Sequence, residues 1–225
     1  MFESLPDIPR LFTALAEWGA ALVYVFVVAR SASSNALNPN AAIPRWRLAA
    51  AAVGGLVVLV GAQELLGRAP LSLWVPGMMT AYALVWCVIR VGTALDWRWV
   101  THMSARAFIV AELAASLAWQ VVVYSHADKP FWHPVSFGGF AAIAATCLAV
   151  VYFFERRVYR QGALPVLRFA DLTSGVLIGI AIFALSNLSF ISTATPFSGR
   201  SGWEVFYIRT LVDLAGYAIL FAQFE

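Results

Sequence analysis

Ser104–Tyr124 reads SARAFIVAELAASLAWQVVVY: twenty-one residues with one arginine, one glutamate, one glutamine and otherwise apolar or small side chains. At 1.5 Å rise per residue, about twenty apolar residues as a helix cross the roughly 30 Å hydrocarbon core of a bilayer. The segment therefore reads as a membrane span, and six others like it fill almost all of the chain. The expected spans are 10–29, 47–66, 72–94, 104–124, 136–154, 169–190 and 204–223. The expected fold class is all-α: a polytopic bundle of seven transmembrane helices forming one domain over residues 1–225, with no soluble domain in the short connections.

Composition supports this. The chain has 225 residues, of which 61% are hydrophobic and only 12% charged, against about 25% charged in soluble domains. Mean hydropathy is +0.78. The N-terminal Met-Phe-Glu-Ser-Leu-Pro-Asp is acidic, and the first span is too long for a secretory signal, so it is expected to remain as an uncleaved helix. Cys87 and Cys147 fall one to a span and indicate neither a disulfide framework nor a metal motif.

The arginines set an orientation. Arg30, Arg45 and Arg47 flank the first connection, Arg90, Arg98 and Arg106 the third, and Arg156, Arg157, Arg160 and Arg168 the fifth; the alternate connections hold only Arg10, Arg68, Lys129 and Arg200. By the positive-inside rule the first group is cytoplasmic, the N-terminus outside and the C-terminus inside. Trp46, Trp97 and Trp99 are then expected at the inner interface and Trp74, Trp132 and Trp203 at the outer. Pro76-Gly77 falls in the first turns of span three and predicts a bend absorbed by packing, or else the broken helix of a transporter site. Gly175-x-x-x-Gly179 predicts close helix packing, either within the bundle or against a second copy.

Ionisable groups at membrane depth are costly and normally find partners inside the bundle. Glu17, Glu112, Arg209 and Asp213 are the strongest cases, with Gln120 and Asn187 beside them. From the expected span ends, Glu17 lies about 10 Å deep, Arg209 about 8 Å, Asp213 about 13 Å and Glu112 about 18 Å below the outer surface. Arg209 and Asp213 are four apart and share a face; Glu112, Ser116 and Gln120 form a stripe. Arg209 is the expected cation for Glu17 or Glu112 as well as Asp213. These six residues form the candidate ligand-binding or coupling site, the alternative being a network that only fixes helix register.

Several chemistries are excluded. A retinal Schiff base needs an intramembrane lysine, and the only lysine, Lys129, lies in a connection. His102, His126 and His133 are placed at or beyond helix ends, which argues against haem. No H-E-x-x-H, G-x-S-x-G or phosphate-binding glycine loop occurs. No catalytic residue, metal site, cofactor or nucleic-acid partner is expected.

The stretches Ile8–Trp18, Ser104–Gln120, Leu185–Phe190, Thr195–Arg200 and Glu204–Leu214 together resemble the N-terminal membrane domain of bacterial sensor proteins with a C-terminal GHKL-type ATP-binding domain, relatives of peptide-sensing histidine kinases. The resemblance implies a multi-pass protein of the bacterial cytoplasmic membrane. It would sense a peptide or small molecule and relay the signal through a dimer to a cytoplasmic kinase or output domain, in a two-component system. The kinase segments themselves do not occur within these 225 residues, so the chain alone is not expected to be an enzyme. The alternatives are a small transporter or its substrate-binding subunit, and a purely structural membrane subunit.

Overall fold

The computed structural model describes residues 8–34, 43–125, 132–159, 167–186 and 203–222. It is all-helical, with no strand among the described residues. Seven long helices follow one another: α1 (Arg10–Ser34), α2 (Arg45–Leu66), α3 (Trp74–Thr93), α4 (Trp97–Ser125), α5 (Pro134–Val158), α6 (Phe169–Ser186) and α7 (Trp203–Ala222). Five stretches are long and apolar enough to cross a membrane: Arg10–Ser31, Arg45–Leu66, Val75–Thr93, Trp97–Ser125 and Pro134–Val158. Phe169–Leu185 is apolar but shorter.

Local chemistry accounts for the helix ends. The Arg98 N–H donates to Asp96 Oδ2 at 3.2 Å, capping α4, and Asp171 Oδ2 accepts from the Arg168 N–H at 3.0 Å before α6. Pro134 opens α5 behind an N-cap at His133. At the C-terminus of α3, Arg47 donates to the carbonyls of Val91 (2.7 Å) and Arg90 (3.2 Å), placing a cation on the negative end of that helix. Pro76 is only the third residue of α3, where the N–H has no helical partner to lose. The helix therefore runs unbroken through Pro76-Gly77, and the alternative of a broken helix there is not met. Instead α2 carries the irregularity, a π turn over Ala50–Gly54, and the Trp18 indole donates to the Ala52 carbonyl inside it at 2.7 Å.

α4 is the axis of the bundle. Around it stand, in order, α3, α1, α5, α7 and α6, with α2 outside against α1 and α3. Successive helices run in opposite directions. Phe12 of α1 meets Trp119 of α4 and Phe140 of α5 near one end, while Tyr159 meets Trp99 near the other. This alternation brings Arg30, Arg45, Arg47, Arg90, Arg98, Arg156, Arg157 and Arg168 to a single end of the bundle, and Arg10 and Arg68 to the opposite end. Trp46, Trp97 and Trp132 are exposed. Trp99, expected at the interface, turns inward onto His102 and Tyr159.

Candidate functional site

Two polar layers cross the bundle, and α4 and α7 contribute to both. Nearer the arginine-rich end, Arg106 of α4 forms an ion pair with Glu155 of α5 at 2.6 Å, both side chains fully buried. The hydroxyls of Tyr24 (α1) and Tyr217 (α7) each donate to Glu155 Oε1 at 2.9 Å. The guanidinium also lies over the rings of Tyr217 (5.8 Å) and Phe221 (5.5 Å). Removing two ions from water costs several kcal/mol each. Here the cost is offset by the opposite charge, two hydroxyl donors and two aromatic faces. One carboxylate thereby ties α1, α4, α5 and α7 together.

The second layer lies about 9 Å further along α4, six residues on. Glu112 pairs with Arg209 of α7, and both side chains are nearly buried. Gln120 donates to Thr210 Oγ1 at 2.6 Å, so α4 and α7 are joined again toward the opposite end. Asp213 is fully buried one turn from Arg209 and one turn from Tyr217. On α7 the three form a single i, i+4, i+8 stripe that spans the interval between the layers. Ser116 is buried between Glu112 and Gln120 on α4, its hydroxyl without a hydrogen-bond partner among the described residues.

Of the six candidate residues, the structure brings Glu112, Gln120, Arg209 and Asp213 to the α4–α7 contact. Glu17 stands apart: it accepts from Gln63 Nε2 at 2.7 Å, a fully buried pair that joins α1 to α2. Arg209 therefore takes Glu112 across the helices rather than Glu17. Asn187 lies outside the described residues.

The first layer escapes the sequence reading. Arg106 counts there as a loop-flanking charge because the fourth span is taken to begin at residue 104. The helix begins at Trp97, which carries Arg106 about 13 Å along its axis. Its length is the available signal, since twenty-nine residues exceed what a bilayer requires. Glu155, hidden in the string Glu155-Arg156-Arg157, looks like part of a solvated charge run. His102 is likewise not at a helix end but buried within α4, beside Trp99 and beneath Gly175. Gly175 and Gly179 face His102 and Ala105 of α4, so that motif packs within the bundle.

Comparison with protein-family models gives no match, and neither does comparison with curated proteins or with solved structures.

Proposed function

We propose that the chain is a seven-span signal-sensing domain of a bacterial cytoplasmic membrane, its N-terminus outside and its C-terminus in the cytoplasm. A peptide or small molecule acts on the outer polar layer, and α7 carries the change to a cytoplasmic kinase or other output partner. The observation behind this reading is the stripe Arg209, Asp213, Tyr217 on one helix. Arg209 has a carboxylate across the interface in Glu112 and another one turn along its own helix in Asp213. A ligand that binds the two pairings unequally shifts their populations, and equal affinity shifts nothing. Because α7 is a continuous helix, displacement at Arg209 moves Tyr217, which is anchored on Glu155 at the arginine-rich end.

The purely structural reading is favoured by the first layer, where a single oxygen of Glu155 meets a cation and two hydroxyls. One experiment separates the two. In inside-out membrane vesicles from cells expressing the gene at its own locus, ATP-dependent histidine phosphorylation of the signalling partner is measured for wild type and Arg209→Ala. Loss of phosphorylation with a normal membrane level of the protein supports sensing; unchanged output overturns it. Orientation is checked with Ala222→Cys in a chain whose two native cysteines are serine. A membrane-impermeant maleimide should label inside-out vesicles only, and labelling of sealed cells refutes the assignment.

A further inference from the structure

The ring of helices around α4 is open between α3 and α6. A groove of about 300 Å³ runs there, walled by Met78, Met79 and Tyr82 on α3 and by Val176, Ile180 and Phe183 on α6. α4 forms its floor from Thr101 to Ile109. Met79 and Ile180 form the rims and are mostly exposed, so the groove opens sideways, into hydrocarbon once the bundle is in a bilayer. Its polar groups are already engaged. Thr101 Oγ1 accepts from the Trp86 indole at 3.0 Å and donates to the Trp97 carbonyl at 2.8 Å, and the Tyr82 hydroxyl donates to the Thr101 carbonyl at 3.2 Å. A polar solute finds nothing there to bond.

A hydrocarbon chain does fit. The floor spans nine residues, eight helical steps or about 12 Å along the helix. The volume holds about ten chain carbons if each fills about the space of one water in the liquid. Two methionines and three aromatic rings supply adaptable, polarisable contact on three sides.

Charge identifies the other end of the occupant. Arg98 lies three residues before Thr101 on the floor helix, and Arg168 lies two i+4 steps before Val176 on the α6 wall. Both are exposed; Arg98, a long side chain on a helix, leans toward the N-terminus of α4, and Arg168 immediately precedes the first residue of α6. Here that direction runs away from the groove toward the headgroup level, where arginines snorkel. Among the described residues, Arg98's side chain has only the Trp97 ring beneath it, at 5.5 Å, and the Asp96 carboxylate caps the α4 backbone.

We infer that this groove is a binding site for one anionic glycerophospholipid, an acyl chain between α3 and α6 and the phosphate at Arg98 and Arg168. The inference stands independently of the signalling reading.

The test is native mass spectrometry of the full chain released from detergent, titrated with dioleoyl phosphatidylglycerol or dioleoyl phosphatidylcholine. Wild type should retain one phosphatidylglycerol about thirtyfold more tightly than phosphatidylcholine, the worth of two basic residues at a headgroup at about 1 kcal/mol each. Arg98→Gln with Arg168→Gln should erase the preference. Ile180→Trp, which fills the groove from its rim, should lose the retained lipid of either kind, while Phe153→Trp on α5 should retain it. Met79→Trp fills the groove from the other rim and serves if Ile180→Trp does not fold. Equal retention of the two lipids by wild type overturns the site, as does unchanged retention in a filled variant.

Discussion

Replacing Glu155 by leucine removes the counter-ion of a fully buried guanidinium and the shared acceptor of two buried hydroxyls. Breaking a buried pair from one side costs about 3–5 kcal/mol, because the remaining charge is stranded. That is a large fraction of the roughly 5–15 kcal/mol that holds a typical fold. Glu155→Gln separates the contributions. The amide oxygen still accepts from Tyr24 and Tyr217, but as a neutral partner, at a loss of about 1 kcal/mol per bond, and Arg106 still lacks its opposite charge. The double variant Arg106→Met with Glu155→Met strands no charge and leaves only the Tyr24 and Tyr217 hydroxyls without their acceptor, so it should be more stable than Glu155→Leu. Reversible unfolding of the detergent-solubilised chain by added dodecyl sulfate, followed by circular dichroism, gives the four free energies of the cycle formed by wild type, Arg106→Met, Glu155→Met and the double variant. A coupling of about 3 kcal/mol is expected between positions 106 and 155. If Glu155→Leu falls within about 1 kcal/mol of wild type, or the double variant is as damaged as the sum of the singles, the four-helix tie is refuted.

Three further outcomes are expected. Gly216→Ala places a methyl group directly on Ile182 across the α6–α7 contact; it should cost about 1–3 kcal/mol, and Ile182→Ala should rescue it, as the same unfolding assay reads. Gln63→Leu leaves the buried Glu17 carboxyl without its donor, and should lower stability by about 1–3 kcal/mol while sparing the α4–α7 layers; loss of the Glu112–Arg209 coupling in that background would contradict the separation of the two networks. Trp18→Phe removes the indole donor from the π turn of α2, and faster amide hydrogen exchange should follow around Ala52 and nowhere in α4.

The helices were legible because each is a long apolar run closed by Pro, Asp or arginine. All seven stand within seven residues of the boundaries expected at either end. Which acid meets which base was less legible. Arg209 and Glu112 are ninety-seven residues apart, and spacing within one helix favours Asp213 as readily. Depth alone grouped Glu17 with them, whereas the register of α2 against α1 gives Glu17 to Gln63. Arg106 and Glu155 were hidden by a habit that serves topology well: counting every charge near a span end as a loop charge. A helix can begin early, and then such a charge is carried into the core.

The order of synthesis gives the Arg106–Glu155 pair a temporal side. Glu155 emerges from the ribosome forty-nine residues after Arg106, a delay of about 2.5–10 s at 5–20 residues per second. During that interval the fourth helix holds a cation whose permanent companion has not been made, although Tyr24, whose hydroxyl later shares Glu155 with it, is already translated. A nascent chain arrested before residue 155 is therefore expected to linger beside the insertion machinery, and one arrested after it to partition into lipid.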